Sequence, residues 1–163
     1  MARRWKILMI IGLLVVLFDQ WSKFMAVKHL TPAMKSASDK SDLARFYGEI
    51  KGPCPPSIRA GECPTVKVVD GFWNWRYVEN KGAAWGLLAN VDDTYRRPFF
   101  ILVSIGAIAF IISFFRKLPE NQMLLIISLS LVFGGAIGNF IDRLHLDYVI
   151  DFIDWYIGAK HWP

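Results

Sequence analysis

The stretch Gly134–Phe152, GGAIGNFIDRLHLDYVIDF, brings Asn139, Asp142, Arg143 and Asp151 together within thirteen residues of an otherwise apolar region. Upstream, Asp19 and Lys23 interrupt another apolar run at i, i+4 spacing. Carboxylates and amides in this company suit one kind of chemistry. Two close carboxylates sharing a proton can activate a water and protonate a leaving group, with neither a metal nor a covalent nucleophile. Other constellations find little support. His29, His145 and His161 fall in three separate places, so no Ser–His–Asp arrangement suggests itself. No cluster has zinc-site spacing, and no Gly-rich phosphate loop is present. Neither a metal nor a cofactor is expected.

Each polar group also has a structural use. Asp19 and Lys23 can neutralise one another, Asn139 can cap a helix end, and Asp142 can pair with Arg143 or an outer cation. Asp147, Asp151 and Asp154 can be solvated acids. For any one residue that reading is the better one. For the set it is not, because ionisable groups inside a membrane are expensive and usually face a functional interior.

The elements that must hold these groups are membrane helices. Over 163 residues the chain is 54% hydrophobic, with a mean hydropathy of +0.32. Pro98–Phe115 is uncharged over 18 residues and Met123–Ile141 over 19. At about 1.5 Å per residue, each nearly matches a hydrocarbon core of about 30 Å. Ile7–Phe18 is a third apolar run, whose helical pattern continues through DQWSKFMAVKHL. The expected fold is mainly α, a polytopic membrane helical bundle forming one domain. Three spans are read at about 7–30, 98–116 and 121–142, with a small β-hairpin or sheet outside. A cleaved signal peptide over residues 1–18 is the weaker reading, because DQWSK supplies no small-residue cleavage site.

The net charge of +5 does not imply nucleic acid, since the basic residues form no stripe on a soluble face. They flank the spans instead. Arg3, Arg4 and Lys6 precede the first, and Arg116 and Lys117 lie in the turn between the second and third. The positive-inside rule makes both places cytoplasmic, leaving residues 31–97 and the segment 143–163 outside. Arg96 and Arg97 point the other way, but they end a connection of more than 60 residues, where the rule weakens. With this orientation Asp19 lies roughly 18 Å along the first helix from Ile7, and Asn139 and Asp142 roughly 24 and 28 Å from Met123. All three fall in the outer half of the membrane.

In the outer connection, residues 31–65 read as an insertion rich in Ser, Asp, Lys, Pro and Gly. Cys54 and Cys63 within it can form a disulfide in an oxidising compartment, as a staple and not as chemistry. VKVV, Asp70-Gly71 and FWNWRYVEN then read as short strands around a turn. Their aromatic residues suit the membrane interface as well as they suit a substrate contact.

Four blocks in order carry a resemblance to the bacterial lipoprotein signal peptidases, the type II signal peptidases. They are DQWSK (Asp19, Lys23), ENKGAAWG (Asn80, Gly82, Ala83), GGAIGNFIDR (Asn139, Asp142, Arg143) and VIDF (Asp151). The resemblance implies a four-helix aspartic endopeptidase of the bacterial inner membrane. Such an enzyme removes signal peptides from prolipoproteins, cutting before a cysteine that already carries diacylglyceryl. Asp151 would be one catalytic aspartate. Asn139, Asp142 and Arg143 would hold the site or contact substrate, Asn80 and Gly82 would border the substrate groove, and Asp19 would support it with Lys23. The partners implied are lipid-modified prolipoproteins and membrane lipids. The N-terminus would be cytoplasmic and the site extracytoplasmic. The family's second catalytic aspartate belongs to an FNxAD motif opening a fourth helix, after sequence of the kind seen at KHWP. It is expected beyond Pro163, so this chain alone is expected to hold half a dyad. The competing class is a non-enzymatic membrane protein, an ion or proton conductor or a lipopeptide-binding factor.

Overall fold

The structure is a computed structural model, and it describes residues 2–34, 40–48, 65–82, 88, 91–158 and 160–162. Cys54 and Cys63 lie outside the described residues. Among those residues are three helices long and apolar enough to cross a membrane: α1 (Arg3–Leu30), α3 (Asp93–Phe115) and α4 (Met123–His145). A short helix, α2 (Asp42–Gly48), follows α1. Four strands, β1 (Val66–Val69), β2 (Trp73–Asn80), β3 (Val149–Ile157) and β4 (Lys160–Trp162), form an antiparallel sheet in the order β1-β2-β3-β4.

The helices begin and end where local chemistry requires. Asp92 caps α3 by accepting the Thr94 N–H at 2.8 Å. At its other end Arg116 N donates to Ile112 O, and Pro119 prevents continuation. The turn into α4 is tied to the start of α1, for the Arg4 guanidinium donates to Leu118 O and Arg4 N donates to Glu120 at 3.2 Å. The basic residues at the start of α1 and after α3 thus share one end of the bundle. There Leu8, Phe115, Leu118 and Ile126 form a core, with Trp5 tilted on Phe115. Met9, Ile10, Leu13, Leu14 and Leu17 face outward and are each more than half exposed, as side chains meant for lipid would be.

Between its ends, α1 lies against α4 at backbone range. A Cβ on Gly134 would sit 2.6 Å from Val15 Cβ and 2.9 Å from Gly12 O. One on Gly138 would sit 2.7 Å from Asp19 Cγ. These glycines are what let the two helices approach. Gly138→Ala is therefore expected to push Asp19 off its partners and cost about 1–3 kcal/mol by overpacking. Gly106→Ala, where nothing lies within 4 Å, is the control. Thermal melting should separate the two variants, and equal melting temperatures would refute the close approach.

The second core lies at the opposite end and joins helices to sheet. Ala26, Val27 and Leu30 of α1 pack with Phe46 of α2, Tyr77 of β2, and Tyr148 and Ile150 at the start of β3. Gly71 turns the β1–β2 hairpin with φ +77°, a conformation that suits glycine. An irregularity between Trp75 and Val78 then shifts the register against β3, so that Trp75 faces Ile153 but Val78 faces Asp151. One extra residue in β2 is a β-bulge. After it, Asn80 lies diagonal to Asp151, within side-chain reach.

The expected hairpin is present, and two features go beyond it. The segment after α4 adds β3 and β4 to the same sheet, and the insertion contains α2.

Candidate active site

Lys23 is the centre of the site. Its ammonium, on a residue only 3% exposed, lies 2.9 Å from Asp19 Oδ2, 2.8 Å from Asp142 Oδ2 and 3.0 Å from Asn139 Oδ1. Three N–H donors thus meet three acceptors. The i, i+4 pairing of Asp19 with Lys23 is real, and a second carboxylate joins it from α4. Asp142 pairs with Lys23 and not with its neighbour Arg143.

Asp142 is 2% exposed and gripped from three directions. Beside the bond from Lys23, its Oδ1 accepts from Gln20 Nε2 at 2.9 Å and its Oδ2 accepts from Ile150 N at 3.1 Å. The last bond follows from the tight turn after α4, where Asp147 adopts φ +68° and the chain reverses into β3. Asp142 thereby fastens the first residues of β3 to the end of α4. Asp151 is the next residue along.

Asp151 Oδ2 accepts from Asn80 Nδ2 at 2.9 Å, and Asn80 Oδ1 in turn accepts from Gly82 N at 3.1 Å. Arg143 Nη2 donates to Gly82 O at 3.1 Å while its guanidinium lies 4.7 Å from the Phe100 ring centre. The ENKG block, the end of α4 and the start of α3 are thus bound together. Asp151 also lines a cavity of about 290 Å³ together with Asp19, Lys23, Asn139, Ile153 and Trp155. Burial pushes the Asp151 carboxyl above the usual carboxylate range. The Asn80 bond, Lys23 and Arg143 oppose the rise, and Asp19 adds to it.

Asp19, Lys23, Asn80, Gly82, Asn139, Asp142, Arg143 and Asp151 therefore meet in one region at the end of the bundle opposite the basic residues. The signal peptidase (SPase) II profile matches residues 11–163. The chain belongs to the signal peptidase II family. It is 40% identical over 163 residues to the lipoprotein signal peptidase of Anaeromyxobacter sp. (strain Fw109-5), an alignment covering 98% of this chain and 76% of that one. It is 52% identical over 99 residues to the lipoprotein signal peptidase of Geobacter metallireducens, covering 61% of this chain and 60% of that one. A solved bacterial membrane enzyme matches with a TM-score of 0.63 and 28% identity, covering 96% of this chain and 74% of that one. Membership of the signal peptidase II family makes this chain a membrane protease involved in lipoprotein processing.

Two further residues belong to the site. Gln20 reaches Asp19, Asp142 and Gly138 O, and Tyr47 reaches Gln20. Gln20 had a readable signal, being a buried-length polar side chain in an apolar helix beside Asp19. Tyr47 had none, since nothing in the insertion distinguishes it from its neighbours.

Proposed function

We propose that the protein is an aspartic endopeptidase that removes the signal peptide from diacylglyceryl-modified prolipoproteins, cutting before the lipidated cysteine. The observation that carries this reading is Asp151. Its half-buried carboxylate lines a cavity whose walls join Asp19, Lys23 and Asn139 to apolar side chains, and it takes one hydrogen bond, from Asn80, among the described residues. Asp142 and Asp19 are engaged by Lys23 and Gln20, so their oxygens serve the scaffold. By the resemblance, a second aspartate would complete the dyad with Asp151.

In this mechanism one carboxylate is ionised and takes a proton from water as its oxygen attacks the scissile carbonyl carbon. The other carries the shared proton, which reaches the leaving nitrogen as the C–N bond breaks. Asp151 suits the proton-bearing role, because burial favours its neutral form. Asn80 tunes it in the opposite sense by donating to the ionised form. Asn80→Ala is therefore expected to raise the Asp151 pKa further and move the alkaline limb of the kcat/KM profile to higher pH. An unchanged or lowered limb would contradict that role.

The site opens at the end away from Arg3, Arg4, Lys6, Arg116 and Lys117, which supports a cytoplasmic N-terminus and an extracytoplasmic site in the bacterial inner membrane. A conductor is disfavoured, since Ile7–Phe18, Pro98–Phe115 and Met123–Ile141 carry no ionisable side chain to continue a path inward. The test is cleavage in bilayers by the full-length protein. A diacylglyceryl-modified prolipoprotein should be cut and its unlipidated form spared. Equal cutting of both would overturn the substrate assignment, and proton flux without cutting would favour the conductor.

A further inference from the structure

The insertion between α1 and β1 sends one side chain into the polar network. Its helix α2 is fastened at three points to the outer end of α1 and the turn that follows it. Lys28 Nζ pairs with Asp42 Oδ2 at 2.9 Å, Arg45 donates to Ala33 O at 2.5 Å, and Phe46 is buried edge-on against Phe24. The next residue, Tyr47, turns toward α4. Its ring meets His145 edge-on, with centres 5.7 Å apart, and its hydroxyl lies 3.2 Å from Gln20 Oε1.

Gln20 is hemmed in by acids. Its Nε2 faces Asp142 Oδ1 at 2.9 Å, Asp19 Oδ2 at 3.1 Å and Gly138 O at 3.3 Å. All three are acceptors, so the amide must present its NH₂ to them, and Oε1 is left facing α2. Tyr47 is its hydrogen-bond donor among the described residues. An acceptor at this depth that loses its donor favours another rotamer of the amide. Any such rotation withdraws Nε2 from Asp142, whose other oxygen holds the Ile150 N–H beside Asp151.

We propose that Tyr47 is a positioning residue of the peptidase site, acting through Gln20 and Asp142 on the start of β3 and hence on Asp151. The inference rests on the reading of Asp151 as a catalytic carboxylate. It gives the insertion a role: α2 stands outside the membrane helices yet completes the hydrogen-bond chain Tyr47–Gln20–Asp142–Ile150. Tyr47→Phe is the suitable variant, since it keeps the ring contacts to Phe46 and His145 and removes one oxygen.

The experiment compares wild type, Tyr47→Phe, Gln20→Met and the double variant of the full-length protein in bilayers. It reads kcat and KM on the lipid-modified prolipoprotein, and in parallel the hydrogen exchange of the β3 start. Tyr47→Phe is expected to lower kcat about fivefold, with KM held within about twofold. Exchange should quicken at Ile150 and Asp151. In the Gln20→Met background the same change should add nothing, because Tyr47 acts through Gln20. An unchanged kcat, or an equal loss in both backgrounds, would overturn the proposal. If the wild type does not cleave, the peptidase reading fails, and exchange alone decides the coupling. Faster exchange at Ile150 in Tyr47→Phe then supports it, and an unchanged rate refutes it. Should Gln20→Met not fold, the exchange pattern of Tyr47→Phe decides. Loss of protection confined to residues 149–152 supports positioning, whereas loss spread through α2 and the Phe46 core marks a merely structural role and overturns it.

Discussion

Asp151→Asn is expected to lower cleavage of a lipid-modified prolipoprotein by about 10²–10⁴-fold, the range of a lost general acid or base, while making the folded protein more stable at neutral pH. The two effects have one cause. The Asp151 carboxyl is lifted above its ordinary value of 3.8, chiefly by burial. In the window between that value and the lifted one, the folded chain holds a proton that the unfolded chain has released. Stability falls as pH rises through this window, and above it the folded state bears the full cost of an ionised, desolvated carboxylate. Asn removes the cost and keeps an acceptor for Asn80 Nδ2, now 2.9 Å from Asp151 Oδ2. Each kcal/mol gained raises the melting temperature by about 2–4 °C for a chain of this length. The difference from wild type should be present at pH 7 and vanish at a pH well below 4, where both side chains are neutral in both states. Activity assays beside melting curves across pH are the check. Retained cleavage would remove Asp151 from the chemistry, and a variant less stable than wild type at pH 7 would contradict the desolvated carboxylate.

The uneven legibility of this chain has physical reasons. Membrane helices announce themselves because lipid demands long uncharged runs, and every ionisable residue within them then stands out. Asp19, Lys23 and Asp142 were visible on that ground alone. Their grouping was less so. Asp142 has Arg143 beside it in sequence, yet the helix turns Arg143 toward Gly82 and Phe100 and turns Asp142 toward Lys23 of α1. Adjacent helical residues diverge by about 100°, so sequence proximity alone does not choose between Arg143 and a cation on another helix. VIDFIDWYI was legible as an aromatic outer segment but not as a strand joined to β2, because pairing at a separation of about 70 residues leaves no local mark. The bulge that brings Asn80 diagonal to Asp151 is likewise a property of two strands together. Tyr47 is the extreme case. It lies in an insertion whose composition suggests little structure, and its importance comes from where Phe46 anchors the neighbouring backbone.

Lys23→Met should be the most destabilising single change in the polar network, by about 3–5 kcal/mol, as expected when a buried pair loses one partner. Lys23 is the sole cation placed among Asp19, Asp142 and Asn139 by the described contacts, at 2.8–3.0 Å. Asp19 retains partial exposure, with 21% of its side chain accessible, whereas the Asp142 side chain is 1% accessible. Water can therefore compensate the first carboxylate and not the second. Gln20 and the Ile150 N–H still donate to Asp142, but neither carries charge. The melting temperature should fall by about 6–20 °C. Lys23→Arg should recover only part of the loss, since a planar guanidinium on a longer stem cannot point three donors at acceptors arranged around an ammonium. Lys23→Met combined with Asp142→Asn distinguishes charge from packing. Removing the stranded charge should restore part of the stability, because the Asn oxygen can still accept from Ile150 N and needs no counter-ion, although its NH₂ then opposes the Gln20 NH₂. If the double variant melts no higher than Lys23→Met alone, the loss comes from packing of the lysine stem, and the charge argument fails. A fall of under about 1 kcal/mol in the single variant would show the pair to be hydrated in the manner of a surface ion pair. The position of Asp142 would then have to depend on Gln20 and the strand amide alone.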